Sequence, residues 1–392
     1  MRLVPLAGRP EDAIREALLS HGWEGDLSRT AAAGIESLAY QVTGAEPATL
    51  EALVRAASRL GLDVITGPDW ALVAGSRVRL SALARPAAEG GGDAPLAGLA
   101  AQLGPALPGE EPAAWETAAG PISLDGPVLV GILNPTPDSF SDGGRYRTVD
   151  AALDRAGQLL AAGATVLDIG GESTRPGGAP VSEMEERARV APVVEAVARR
   201  FPDAVISVDT TKASVARAGL DAGAAIINDV SGLRLDPALA GLVAEREAGL
   251  VLMHSRGGAG SLASEAHAGF PDGVIPAVVA ELGQAIERAR EAGVRPGRIV
   301  VDPGLGFGKS PEQSVELLRG LGALRRFERP VLIGPSRKRF LGALTGRPVE
   351  ERDIATAAAC ALGWAAGARL FRVHEPGPVR DALALARAFR PR

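Results

Sequence analysis

The feature that most constrains this chain is a series of eight short apolar runs, most of them followed by a longer segment with helical spacing. The runs are "VLVGILN", "TVLDIGG", "VISVDT", "AIINDVSG", "LVLMHS", "RIVVDPG", "PVLIGPS" and "RLFRVH". None alternates apolar with polar residues, so each reads as a strand buried on both faces, as in parallel sheets sandwiched by helices. Between them lie segments such as "DAALDRAGQLLAAG", "MEERARVAPVVEAVARR" and "TKASVARAGLDAG", whose apolar positions recur at helical intervals. Eight strand–helix units in about 270 residues match an α/β fold of the (β/α)8 TIM-barrel type in count and length. A doubly wound open sheet is the alternative. The segment "AAWETAAGPISLDGP", just ahead of the first run, is expected to form a hairpin closing the bottom of the barrel.

The barrel would occupy residues 113–392, and the chain before it divides again. Residues 85–112 are dominated by Ala, Gly and Pro and read as a linker with one short helix near Leu96 to Leu103. Residues 1–84 mix helical spacing (Pro10 to Ser20, Ala48 to Leu60) with strand-like stretches such as "SLAYQV" and "WALVAGSRVRL". They are expected to form a small α/β module, with no metal-ligand cluster and no phosphate loop to indicate a role.

Composition excludes several classes. A formal net charge of −5 provides no electrostatic footprint for nucleic acid or an anionic membrane. The single cysteine, Cys360, sits in an apolar run and suits a reducing compartment. The N-terminus lacks the apolar core of a signal peptide, and no run is long enough to span a membrane, so a cytoplasmic location is expected.

The polar residues at the strand ends carry the functional reading. The runs end in or contain Asn134, Asp168, Asp209, Asn228 with Asp229, His254, Asp302, Lys338 just beyond the seventh, and Arg372 with His374. In a barrel these carboxyl ends share one mouth, where barrel enzymes place their chemistry. An unpaired amide or carboxylate away from water costs about 1–3 kcal/mol or more. Asp209, Asn228 and Asp302 therefore need partners, either each other or a ligand rich in N–H and C=O groups, and the ligand is the favoured reading. Arg175, Lys338, Arg372 and His374 form a cationic set suited to an anionic substrate.

Two motifs mislead. "DPGLGFGKS" resembles a P-loop, but Pro303 stands where the first glycine is required, and the spacing also misses the dinucleotide fingerprint. Its glycines fit a tight loop that lets Phe307 and the backbone approach a flat ligand. The four histidines include no zinc-type pair, whereas magnesium stays open because it needs few protein ligands once phosphates are bound.

Taken together, "GILNPTPDSFSDGG", "LDIGGESTRPG", "SVDTTK", "INDVSG", "DPGLGFGKS", "GPSRKRFLG" and "RVH" closely resemble the dihydropteroate synthases, in family order and over all eight strands. The resemblance implies a pterin-binding barrel enzyme that is often a homodimer. It implies a transferase that joins 4-aminobenzoate to 6-hydroxymethyl-7,8-dihydropterin diphosphate and releases diphosphate with Mg²⁺ assistance. It assigns pterin binding to Asp209, Asn228, Met253, Asp302, Phe307 and Lys338, and diphosphate binding to Asn134, Thr174, Arg372 and His374. Asn134 would also be the Mg²⁺ ligand. Phe140, Arg175, Pro176, Ser336 and Lys338 would surround the aminobenzoate, the site at which sulfonamides compete. Asp209, Asp302, Lys338, Arg372 and His374 would carry the reaction. A pterin-dependent methyltransferase of the same fold, or a non-catalytic pterin-binding protein, remains the alternative.

Overall fold

The computed structural model describes the backbone of residues 2–5, 37–84, 94–106, 112–134, 145–172 and 181–389. Of the residues expected at the site, Phe140, Thr174, Arg175 and Pro176 lie outside the described residues. The chain divides into two compact units, one ending at Gly109 and the other spanning Glu110–Arg390.

In the first unit, strands β1 (Arg2–Pro5), β2 (Ser37–Thr43), β3 (Asp63–Thr66) and β4 (Trp70–Ser76) pair antiparallel in the order β1-β2-β4-β3. The helix Pro47–Leu60 starts on Pro47, whose missing N–H costs nothing there, and ends on Gly61 in the left-handed region, φ 66°. Its buried face, with Leu50 and Leu53, joins Tyr40, Val42 and Val73 in one core. The short helix expected near Leu96 to Leu103 spans residues 97–106, and Leu96, Leu99 and Leu103 belong to this core. The i, i+3, i+7 leucine spacing builds an apolar stripe that outweighs the Gly- and Pro-rich composition around it.

In the second unit, a hairpin of β5 (Ala114–Thr117) and β6 (Gly120–Ser123) precedes eight parallel strands. These are β7 (Val128–Leu133), β8 (Val166–Gly170), β9 (Val205–Asp209), β10 (Ile226–Asp229), β11 (Gly249–Met253), β12 (Ile299–Asp302), β13 (Leu332–Ile333) and β14 (Leu370–Val373). Neighbours pair in the order β12-β11-β10-β9-β8-β7-β14-β13, and a parallel bridge from Val301 to Val331 closes the ring. The fold is a (β/α)8 barrel.

The pleat sorts the side chains. Leu129, Leu167, Ile206 and Leu250 face the outer helices, while Val130, Val166, Ile226, Val251, Val300 and Leu370 fill the interior. The hairpin plugs the lower end: Trp115 joins the interior cluster, and its Nε1–H donates to the Arg298 carbonyl at 2.8 Å. Gly249 at the start of β11 makes room for it, since a Cβ there would sit 3.1 Å from the indole. With the lower end filled by hydrocarbon, polar inward positions begin one layer below the upper strand ends, at Asp168 and Ser207.

Candidate active site

Following the inward positions upward, β8 places Asp168 above Val166, β9 places Asp209 above Ser207, and β10 places Asn228 above Ile226. Strand β12 places Asp302 beside Met253 of β11, and β14 places Arg372 above Leu370. The two-residue period of the strand thus converts hydrophobic lower layers into a polar upper layer without changing face.

Arg372 is the hub. Its Nε donates to Asp168 Oδ2 at 2.5 Å and its Nη2 to Asp209 Oδ2 at 2.6 Å. Asn228 Nδ2 donates to the same Asp168 oxygen at 3.0 Å. Burial would lower the Arg372 pKa, but the two carboxylates outweigh it and push it above its ordinary value. Burial raises Asp209 to about 7, against the pull of Arg372 and with added repulsion from Asp168 and other nearby acids. The sequence suggests a set of cations facing a set of acids. Instead, Arg372 lies among the acids, because the barrel closes β14 back toward β8 and β9 through β7.

Asp302 anchors the other wall. Its Oδ1 accepts the Gly304 N–H at 2.7 Å, and burial holds its pKa above the usual range, opposed chiefly by Lys338. Lys338 is drawn down to about 8 by burial, with Asp302 and Asp209 opposing and Arg372 adding to the fall. Its Nζ donates to the Leu305 carbonyl and stands 4.4 Å over the Phe307 ring. Met253, Phe307, Val230 and Leu262 form one apolar cluster beside these polar groups. The sequence marks the first two but not Val230 or Leu262, which lie in polar, glycine-rich surroundings. A cleft opens on Asp209 and is lined also by Glu172, Glu186, Thr210, Val230 and Leu262.

The loop after β13 aims two residues. Arg337 adopts the left-handed region, φ 58°, uncommon for a side chain with a Cβ. Two contacts of 2.8 Å to Asp353 and the bond from its N–H to Thr356 Oγ1 at 3.1 Å hold it there. On one side of it, Ser336 Oγ lies 2.9 Å from His374 Nδ1 and accepts the His374 N–H at 3.2 Å. On the other side stands Lys338. Arg155 steadies the same end of β14, donating to the His374 carbonyl at 2.5 Å and to Glu375 at 2.8 Å.

Asn134 is exposed at the end of β7, and a Cβ on Gly170 would lie 3.2 Å from its Oδ1 and 3.3 Å from the Asp209 Cβ. The glycine therefore preserves a small cradle holding a hard oxygen donor, which fits Mg²⁺ coordination completed by phosphate oxygens and water. Among the described residues, no group of three or more His, Cys, Asp or Glu side chains is arranged to hold a metal.

Two strand-end residues turn away from ligand chemistry. Asp229 faces outward and caps its own loop, accepting from Ser231 N, Ser231 Oγ and Leu233 N. His254 Nε2 lies 3.0 Å from Glu281, and its Nδ1 lies 2.9 Å from Lys309 Nζ. Lys309, the lysine of the apparent P-loop, is buried and also donates to the carbonyls of Gly304 at 2.9 Å and Phe307 at 2.8 Å. It ties its own loop together rather than reaching for a phosphate. The sequence marks Asp168 only as a strand-end acid and gives Lys309 no role. The available signal was that both are charged residues next to buried apolar runs.

Fold and rim define a (β/α)8-barrel enzyme whose mouth joins acids, an amide and cations around an apolar wall. The pterin binding enzyme family matches residues 130–374. The dihydropteroate synthase of Mycobacterium leprae is 43% identical over 274 residues, covering 68% of this chain and 95% of that protein. A Xanthomonas albilineans dihydropteroate synthase structure with 4-aminobenzoic acid is 42% identical, with a TM-score of 0.65, covering 70% of this chain and 97% of that one. Another from that organism, in complex with 7,8-dihydropteroate, is 40% identical with a TM-score of 0.63, covering 70% of this chain and 98% of that one. The chain belongs to the pterin-binding enzymes and, among them, to the dihydropteroate synthases, which are transferases.

Proposed function

We propose that this protein condenses 6-hydroxymethyl-7,8-dihydropterin diphosphate with 4-aminobenzoate to give 7,8-dihydropteroate and diphosphate. The observation that carries this reading is the joining of a hydrogen-bonding acid–amide wall (Asp209, Asn228, Asp302) to Lys338 and Arg372 in one barrel mouth. A flat ring bearing N–H and C=O groups satisfies the wall, and an attached polyanion satisfies the cations.

In this reading Asp209, Asn228, Asp302 and Lys338 hold the ring edges, while Met253 and Phe307 pack near its faces. Arg372 and His374, with Asn134 and Thr174, take the diphosphate. Phe140, Arg175, Pro176, Ser336 and Lys338 surround the aminobenzoate, where a sulfonamide competes. Asn134 would hold Mg²⁺, which when bound would supply charge neutralisation on the leaving diphosphate. The C–O bond breaks with its electron pair leaving on the diphosphate held by Arg372 and His374, and the buried Asp209 and Asp302 carboxylates stabilise the positive charge left on the pterin. The neutral aromatic amine then attacks the methylene carbon, and the strongly acidic ammonium so formed releases its proton to solvent, so no strong general base is needed.

The protein acts in the cytoplasm as a homodimer. In support of the dimer, Ile354, Leu362, Leu385 and Phe389 are exposed on or beside the helices Asp353–Ala365 and Pro376–Ala388. The test of function mixes protein, Mg²⁺, pterin diphosphate and 4-aminobenzoate and measures dihydropteroate. Product is expected from the wild type and a loss of at least about 100-fold from Lys338→Ala and Asp302→Ala, as for removal of preorganised charge at a reacting centre. No product from folded wild type would refute the reading.

A further inference from the structure

Asp168 is fully buried on the inward face of β8, one layer below the strand end. A single oxygen, Oδ2, accepts from both Arg372 Nε at 2.5 Å and Asn228 Nδ2 at 3.0 Å. The other, Oδ1, is buried without a hydrogen-bond partner among the described residues. An acid so placed is a poor device for stability, because a buried oxygen without a donor is costly and a well-packed apolar residue would serve the core better. Its geometry accounts for its presence in another way.

We propose that Asp168 is a positioning residue that sets both halves of the pterin diphosphate site. The inference rests on the function proposed above. A carboxylate oxygen facing a donor can only accept, so Asp168 fixes the Asn228 side chain with its amide nitrogen inward. Asn228 is left to offer a ligand its carbonyl oxygen and one remaining N–H. That pattern selects a ring edge that places an N–H donor beside an acceptor. On the other side, Asp168 takes Arg372 Nε and Asp209 takes one Nη2 hydrogen. The edge formed by Nη1 and the second Nη2 hydrogen remains for a phosphate, the fork geometry in which guanidinium binds such anions best. One carboxylate therefore orients the amide that reads the ring and the guanidinium that meets the leaving group.

The test uses the full chain and Asp168→Asn, which keeps the shape but removes the charge and lets the paired amides adopt either orientation. Ser207→Ala serves as a control, since Ser207 lines the same small internal cavity as Asp168 and Asn228, whereas Arg372 donates to Asp168 and Asp209 and not to Ser207. Calorimetric Kd values are compared for 6-hydroxymethyl-7,8-dihydropterin with and without its diphosphate, alongside kcat. In Asp168→Asn, the Kd for pterin diphosphate is expected to rise about tenfold, the size of one lost hydrogen bond. The gain in affinity from the diphosphate should shrink and kcat should fall, while Ser207→Ala stays within about twofold of wild type. A folded Asp168→Asn within twofold of wild type in both Kd values and in kcat overturns the inference. If wild type itself binds no pterin diphosphate, the functional reading fails instead. A crystal structure of the wild type with the pterin gives a variant-free check: Asn228 Oδ1 turned toward Asp168, or Arg372 Nε released from it, also overturns the inference.

Discussion

Replacing Lys309 by Met, nearly as long but uncharged, removes the knot of the loop between Pro303 and Gly308. Lys309 Nζ lies 2.9 Å from His254 Nδ1, 3.3 Å from the His254 carbonyl, 2.9 Å from the Gly304 carbonyl and 2.8 Å from the Phe307 carbonyl. The Gly304 carbonyl would keep a donor, since the Phe307 N–H also reaches it at 3.0 Å. The other three acceptors would lose this donor in a buried setting. At about 1–3 kcal/mol for each buried group left without a partner, the raw loss is several kcal/mol. Part of it returns, because burial already drives the Lys309 pKa well below its ordinary value and Met relieves that strain. The net loss expected is about 3–5 kcal/mol, the range for breaking a buried charged network from one side. That corresponds to a fall in Tm on the order of 10 °C for a barrel of this size. Urea unfolding measures the first quantity and calorimetry the second. Pterin binding should weaken too, because the same loop delivers the Gly304 N–H to Asp302 and the Leu305 carbonyl to Lys338. A loss below about 1 kcal/mol, with unchanged pterin affinity, would refute the argument that this lysine holds the loop.

Gly304→Ala should be far more damaging than Gly346→Ala, although the two backbones are alike, at φ 67° and 68°. Left-handed backbone alone costs about 1–2 kcal/mol for a residue with a Cβ, which is the full expected effect at Gly346, where nothing lies within 4 Å. At Gly304 the new Cβ would fall 1.9 Å from the His254 carbonyl oxygen, so the loop must shift and pterin binding should be lost; equal unfolding midpoints for the two variants would contradict this. The third expectation concerns acid. Burial holds His254 down to about 4, so between its ordinary 6.5 and 4 the unfolded chain takes up a proton that the folded chain refuses. Stability present above pH 6.5 is therefore lost as pH falls toward 4, by at most ~3 kcal/mol from this group. Raised acids such as Asp209 act in the opposite sense, so the measurement is the difference in urea-unfolding free energy between wild type and His254→Gln across pH 4–7. A difference that does not change with pH would exclude His254 as the cause.

What the sequence made legible follows from which forces are local. Strand burial is local: Val128–Leu133 carries no polar residue, and all six positions are buried. The run "PVLIGPS" marks its strand correctly, yet only Leu332–Ile333 pair with β14, because Pro330 and Pro335 supply no N–H to extend the ladder. The polar layer was legible as a layer, since a two-residue period fixes which side chains face inward. Its pairing was not. Whether Arg372 faces a substrate or an acid depends on β14 closing against β7, which brings residues 204 and 163 positions away in sequence into contact with it. The same holds for Lys309. Its neighbours in sequence are glycines that say only that the chain turns, and the acceptors that bury its amine include the end of β11, 55 residues earlier. A charged residue beside an apolar run is ambiguous in one dimension. Barrel closure decides whether it meets solvent, a ligand or a partner already built into the fold, and here it supplied built-in partners to His254, Asp168, Arg372 and Lys309 alike.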